Sequence, residues 1–93
     1  MTTKFENVEK EFIGTLQFPV NDVLNDKEDK YQRISDLKRA QALGNLEHSK
    51  TKIYFEDNYS KKVVETTVWA VTDNRVILKR GIGIPINRIY RTI

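Results

Sequence analysis

The chain has 93 residues, 39% of them hydrophobic, and a net charge of +3, which fits one small globular domain without a second core. It has no cysteine, so disulfide frameworks, thiolate metal sites and cysteine nucleophiles are excluded. No apolar run approaches the roughly 20 residues that span a bilayer, and charged residues interrupt the first apolar cluster, unlike in a signal peptide. We therefore expect a cytoplasmic protein without a membrane segment.

Charge is distributed unevenly along the chain. Residues 1–30 carry seven acidic and four basic side chains, a net charge of −3, whereas residues 31–93 carry twelve basic and six acidic ones, a net charge of +6. This asymmetry suggests an anionic partner for the basic part or a leader that folds back on it. Two solvated charged surfaces explain the pattern equally well.

Residues 1–25 form an acidic arm whose degree of order the pattern leaves open. Phe5, Val8 and Phe12 are spaced for one face of a short helix, and residues 15–18 alternate like a strand. Disordered tails are usually poor in aromatic residues. We therefore expect the arm to pack in part on the rest of the domain.

A helix is predicted over residues 26–43. Asn25 or Asp26 can cap its start, and acidic side chains follow in its first turn. Gly44-Asn45 is a typical helix stop. Apolar residues recur along one stripe at three-residue intervals: Tyr31, Ile34, Leu37, Ala40 and Leu43.

After the helix the hydrophobic period changes to two, which indicates strands. They are predicted over residues 51–56, 63–71, 75–79 and 84–86, with a closing segment over 87–93. We predict an α+β fold in which one N-terminal helix precedes a strongly bent, four- to five-stranded antiparallel sheet that curls into a small barrel. Residues 26–93 would form this domain.

The alternation also predicts the core. Trp69 is expected to be a buried anchor of the long strand; a solvent-facing Trp69 would instead mark an interface, and the apolar strand around it makes self-association plausible. The helix should contribute Ile34 and Leu37. The expected buried sheet residues are Thr51, Ile53, Phe55, Val68, Trp69, Leu78, Ile84, Ile86 and Ile89.

The segment Val76-Ile77-Leu78-Lys79-Arg80-Gly81-Ile82-Gly83-Ile84 resembles the second sequence motif of Sm-like RNA-binding proteins, in which an apolar strand runs into a basic residue, Arg, Gly and another apolar strand. The helix-first layout and the closing 84–89 segment are similar as well. The resemblance implies an Sm-like small barrel that binds RNA. It also implies that the Arg80 guanidinium stacks on a base and that Gly81 permits close approach.

The same layout resembles the Rho-binding antiterminator group, Sm-like barrels that bind a termination factor through an acidic face. Residues 46–93 further resemble small bacterial proteins of uncharacterised function. The resemblance to the Rho-binding antiterminator group implies a protein-interaction adaptor or regulator. Such a protein would act through the arm or through the strand that carries Trp69.

No motif for catalysis, phosphate cradling or a bound cofactor is present. The single histidine, His48, lies in a linker without evident partners, so we predict no metal site. Gly81-Ile82-Gly83 is followed by a strand, which indicates a turn and not a phosphate-binding loop. We expect a non-enzymatic protein without a cofactor or a small-molecule substrate.

Basic residues are the remaining functional signal. In a small barrel, those at strand ends could converge on one rim, with Tyr54, Tyr59 or Tyr90 adding stacking surface. A merely solubilising basic surface is the alternative. The candidate nucleic-acid-binding residues are Lys61, Lys62, Lys79, Arg80, Gly81, Arg88, Arg91 and Tyr54. The main hypothesis is RNA binding, and the alternative partner is a protein.

Overall fold

In the computed structural model, which describes residues 4–93, one helix is followed by six strands and preceded by a short seventh. The chain begins with β1 (Glu6–Asn7) and a 3-10 helix (Lys10–Thr15), and α1 spans Lys27–Glu47. The remaining strands are β2 (Thr51–Glu56), β3 (Lys61–Thr66), β4 (Val68–Val71), β5 (Arg75–Leu78), β6 (Gly83–Pro85) and β7 (Ile89–Thr92). Short 3-10 segments at Lys79–Gly81 and Ile86–Arg88 link β5 to β6 and β6 to β7.

The strands form two sheets. One has the order β1-β3-β2-β7 and the other the order β4-β5-β6. The α+β class is therefore confirmed, but the prediction of a single antiparallel sheet was wrong, because β1 runs parallel to β3. Among residues 4–93 no ladder joins β6 to β7, so the hydrogen-bonded sheets do not close into a barrel.

The two sheets meet at Thr67. The predicted strand 63–71 contains no glycine or proline, so its sequence gives no sign of a break. Thr67 is 8% exposed and its hydroxyl donates to the carbonyl oxygen of His48 at 3.4 Å. The chain passes from one sheet to the other at Thr67. At this position it contacts the end of the helix, which is distant in sequence.

Helix α1 begins as predicted, because the Asp26 side chain accepts the backbone N–H of Glu28 at 2.7 Å. The predicted stop at Gly44 was wrong. The helix passes through Gly44, and His48 ends it in the left-handed region at φ 55°. A β-carbon on Gly44 would lie 2.5 Å from the carbonyl oxygen of Val68, so this glycine permits close packing and does not end the helix.

The buried face of α1 also differs from the predicted stripe. Its buried members are Arg33, Leu37, Ala40 and Gly44, at spacings of three and four residues. Tyr31, at one end of the predicted stripe, is 79% exposed. An α-helix has 3.6 residues per turn, so residues spaced three apart lie progressively further around its surface. The five residues of the predicted stripe therefore cannot all face the core.

The predicted sheet core is confirmed except at one position. Trp69 is 51% exposed, because Val68 points into the core and neighbouring side chains in a strand point to opposite faces. Ile34 is half-buried against the core. The confirmed residues are Thr51, Ile53, Phe55, Val68, Leu78, Ile84, Ile86, Ile89 and, from the helix, Leu37.

The arm contributes to the same core. Ile13, within the first 3-10 helix, is 1% exposed. The ring of Phe18 lies 6.1 Å from that of Phe55, and the carbonyl oxygen of Gln17 accepts the N–H of Asn58 at 2.9 Å. The helix expected around Phe5 and the strand over residues 15–18 are absent from this segment.

Candidate nucleic-acid interface

Three aromatic rings from distant parts of the chain meet on the four-stranded sheet. The ring of Phe5, just before β1, lies 5.0 Å from Tyr54 on β2 and 5.7 Å from Tyr90 on β7, edge to face in both pairs. All three side chains are half-buried. Such edge-to-face pairs are favourable beyond the area that they bury.

Two cations lie against these rings. The Arg91 guanidinium carbon is 4.7 Å from the centre of the Tyr54 ring, and Lys61 Nζ is 5.2 Å from that of Tyr90 and 6.0 Å from that of Phe5. All three distances fall within the range of cation–π attraction, about 6 Å. We call Phe5, Tyr54, Lys61, Tyr90 and Arg91 the aromatic platform.

A bulge in β7 brings two consecutive residues to the platform. Tyr54 pairs with Arg91 and Phe55 with Ile89, so Tyr90 is the extra residue between the two pairs. Without the bulge, Tyr90 and Arg91 would point to opposite faces of the sheet. The bulge therefore lets an aromatic and a cationic side chain from adjacent positions serve one face.

Tyr90 is held by a carboxylate. Its hydroxyl donates to Glu56 Oε1. Burial and this negatively charged neighbour raise the pKa of Tyr90 to about 12. The hydrogen bond to Glu56 fixes the position of the ring that Lys61 overlies.

Lys61, Arg91 and Tyr54 are the three predicted site residues that the fold brings together. Lys62, by contrast, is used inside the structure: its Nζ lies 3.0 Å from Asp57 Oδ2 and 2.7 Å from Ser60 Oγ, and its side chain is only 12% exposed. Burial opposes ionisation of Asp57, but N–H groups of Ser60 and Tyr59 together with Lys62 hold the pKa of this carboxyl below its ordinary value. Lys62 thus stabilises the turn between β2 and β3.

Arg88 also has a structural role. It is 4% exposed, and its guanidinium donates to the carbonyl oxygens of Glu56 at 3.0 Å and Asn21 at 2.8 Å. These bonds tie the arm to β2. Most of its donors are therefore directed at the protein itself.

Lys79, Arg80 and Gly81 lie on the other sheet, in the 3-10 segment between β5 and β6. All three are exposed. Arg80 has φ 72° and Gly81 φ 80°, a left-handed pair that reverses the chain, while Leu78 donates to the carbonyl oxygen of Ile82 at 2.7 Å. This hairpin is not part of the aromatic platform.

Sequence reasoning missed Phe5 as a platform member. Its spacing from Val8 and Phe12 indicated a helix, whereas the segment pairs with β3 through Glu6 and Asn7. A two-residue parallel strand leaves no periodic signal. Tyr90 was expected to add stacking surface, and the structure places it against Lys61.

Within residues 4–93 no group of three or more His, Asp or Glu side chains is arranged to hold a metal ion. No helix in the same range combines the length and the apolar character that a bilayer crossing needs. Comparison of the chain with protein-family models, curated proteins and solved structures finds no match.

Proposed function

We propose that the protein binds single-stranded RNA on the aromatic platform. The observation that carries the proposal is the pairing of two cations with two tyrosines on one sheet face: Arg91 with Tyr54 and Lys61 with Tyr90. Single strands bind where bases can stack on aromatic or guanidinium planes while nearby cations neutralise phosphates. Arg91 is exposed and free to offer its second face to a base.

The charge distribution supports the same partner. Residues 31–93 have a net charge of +6, and such an excess speeds the encounter with a polyanion. Lys62 and Arg88 do not serve this role, because their charges are used inside the fold. The exposed cations Lys52 and Arg91, on neighbouring strands β2 and β7, are available to phosphates.

We further propose that the domain is Sm-like and acts without catalysis or a cofactor. Support comes from the order of elements after the arm: α1, then hairpin-linked strands, with a 3-10 turn between the last two. Strand β3 ends at Thr66 and β4 begins at Val68. Only Thr67 separates them, as expected if the two are halves of one strongly bent strand. The Arg80-Gly81 hairpin is a second candidate contact in this proposal.

Fluorescence anisotropy with a labelled single-stranded oligouridine of about 12 nucleotides tests the proposal. Binding should weaken between about 50 and 200 mM salt, with a log–log slope of roughly −0.7 per phosphate neutralised. Tyr54→Ala or Arg91→Ala should each weaken binding about tenfold, because loss of one stacking partner removes roughly 1–3 kcal/mol.

Matched variants show where binding occurs. Arg39→Ala removes the same charge from the exposed surface of α1, where Arg39 is 67% exposed, and should change the affinity little. Arg80→Ala reports whether the hairpin takes part. Absence of binding to single- and double-stranded oligonucleotides at high protein concentration and low salt would exclude the proposal.

A protein-binding role is the second candidate, because Trp69 and Leu46 are 51% and 80% exposed. Contiguous exposed apolar patches mark protein interfaces, and Trp69 lines a shallow surface pocket together with Gly44, Asn45 and His48. An interface built on Trp69 and Leu46 would respond little to salt. A partner of the Rho type would belong to this class, and Trp69→Ser would weaken such a complex without affecting oligonucleotide binding.

A further inference from the structure

A cleft of about 540 Å³ lies on a surface separate from the aromatic platform. Four parts of the chain form it: the arm, α1, the turn that precedes β5 and the turn that precedes β7. Phe18, Pro19 and Ile34 give it an apolar wall, and Arg33, Arg75 and Asn87 bring polar groups to it. Its volume is within the range of small-molecule sites, roughly 300–1,000 Å³.

Arg33 is fixed in the wall of the cleft. It is 5% exposed, and its two terminal nitrogens each lie 2.9 Å from an oxygen of Asp22. This hydrogen bonding holds the pKa of Asp22 below its ordinary value. The Nε of Arg33 is buried without a hydrogen-bond partner, an unusual state for a charged group.

Arg75 supplies a second guanidinium that has no carboxylate partner among residues 4–93. Its Nη2 donates to the carbonyl oxygen of Gly83 at a long 3.4 Å. A β-carbon on Gly83 would lie 2.9 Å from Arg75 Nε, so this glycine provides the space in which the guanidinium rests. Most of its donors remain free for a ligand.

The charges around the cleft favour a monoanion. Among the residues that line the cleft, Arg33 and Arg75 supply two positive charges and Asp73 supplies one negative charge. The sum of +1 matches one carboxylate better than a doubly charged phosphate ester. A guanidinium binds a carboxylate in a two-pronged geometry, and the apolar wall can cover a flat organic body.

We propose that this cleft binds a small organic carboxylate with a flat apolar body, held by Arg75 against the wall formed by Phe18, Pro19 and Ile34. The proposal does not depend on RNA binding, since none of these residues belongs to the aromatic platform. Arg75 provides charge recognition, and the Arg33–Asp22 pair keeps the wall in place.

Titration of the isotope-labelled protein with benzoate, followed by amide chemical shifts at constant ionic strength, tests the proposal. Benzoate should cause saturable shifts at Asn74, Arg75 and Asn87 with a millimolar dissociation constant, as expected of a very small ligand. Benzyl alcohol, which is similar in shape but neutral, should bind at least about tenfold more weakly, because it lacks the charge-assisted bond.

Three variants test whether the Arg75 guanidinium binds the carboxylate. Arg75→Gln should weaken benzoate binding about tenfold, whereas Arg80→Gln, which removes an exposed arginine from the next hairpin, should leave it unchanged. Gly83→Ala keeps the arginine but displaces its guanidinium, and should also weaken binding. The melting temperature of each variant shows that the fold is retained.

Three results would overturn the proposal. They are shifts that do not saturate, equal binding of benzoate and benzyl alcohol, and equal losses in Arg75→Gln and Arg80→Gln. Shifts that do not saturate would mean that there is no specific site. Equal binding of the two ligands would mean that the protein does not recognise the carboxylate charge. Equal losses in the two variants would mean that benzoate responds only to the net positive charge of the protein.

Discussion

Three basic side chains place positive charge inside the fold. Arg33 and Arg88 are 5% and 4% exposed, and the Lys62 side chain is 12% exposed. Oxygen atoms meet each of them: Asp22 for Arg33, Asp57 for Lys62 and two backbone carbonyls for Arg88. Burial of a charge is tolerated only with such partners. Part of the basic excess of the sequence therefore serves the fold and not a partner.

These pairs predict sensitivity to acid. The pKa of Asp22 is lowered chiefly by its hydrogen bond from Arg33, and the pKa of Asp57 is lowered despite burial by N–H groups and Lys62. A carboxyl whose pKa is lower in the folded state stabilises that state above its unfolded pKa. The stabilisation is lost as pH falls below about 4.

We expect the melting temperature to decrease between about pH 5 and pH 2, and less steeply for Asp22→Asn. At pH 7 this variant should lose about 3 kcal/mol of the free energy of unfolding, because Arg33 is left buried without its carboxylate. Asp29→Asn, in the exposed first turn of α1, should lose only about 0.5 kcal/mol. Equal pH profiles for the wild-type protein and Asp22→Asn would contradict this role of the pair.

Phe55 and Trp69 are aromatic residues on opposite sides of the burial boundary, so substitutions at the two positions should differ in their effect on stability. Phe55 is 0% exposed, whereas Trp69 is 51% exposed. Phe55→Ala should cost about 3–5 kcal/mol of stability, and Trp69→Ala less than about 1 kcal/mol. Urea unfolding measures both losses. A loss in Trp69→Ala as large as that in Phe55→Ala would contradict its outward orientation.

At the scale of single elements, the packing of α1 on β4 depends on one glycine. Ala40 and Gly44 lie on the buried face, and Gly44 lets the helix approach the carbonyl oxygen of Val68. Glycine is otherwise unfavourable inside a helix by about 1 kcal/mol relative to alanine. Close approach to the sheet thus outweighs helix propensity at this position.

Gly44→Ala should consequently destabilise the protein, by about 1–3 kcal/mol, because the added methyl group must displace the helix from β4. Asn45→Ala, at the exposed next position, should stabilise it by about 0.5 kcal/mol through helix propensity alone. Thermal unfolding measures both variants. Stabilisation by Gly44→Ala would show that the contact with Val68 relaxes without cost.

At the scale of the whole molecule, one core joins all parts of the described chain. Its buried residues include Ile13 from the arm, Leu37 from α1, Phe55 from one sheet and Leu78 from the other. Removal of any one part would expose apolar side chains of the others to water. We therefore expect the arm and the two sheets to unfold as one cooperative unit.

We expect a single unfolding transition. The chain has one tryptophan, and Trp69 lies on β4, so its fluorescence reports on the three-stranded sheet, while far-UV circular dichroism reports on α1. The two urea curves should coincide, as they do for small two-state domains. Separate midpoints would instead mean that the second sheet unfolds independently of the helix.

Local patterns in the sequence correctly predicted the α+β class, the beginning of α1 after one of two candidate caps, Asn25 or Asp26, and the alternation of β2. Each of these depends on neighbours within a few residues: a cap, a turn or a period of two. Three members of the platform are among the residues that the sequence singles out as candidates for nucleic-acid binding. Tyr54, Lys61 and Arg91 were recognised as residue types that bind nucleic acid, but their proximity was not encoded in any local pattern.

The remaining features depend on contacts between residues far apart in sequence. Gly44 continues the helix because β4 lies against it, Phe5 joins the platform because its segment pairs with β3, and Lys62 is withdrawn from the surface by Asp57. The spacing of residues along the chain specifies which faces are apolar. Tertiary packing alone decides which surface covers each face, and therefore which charges and rings remain available to a partner.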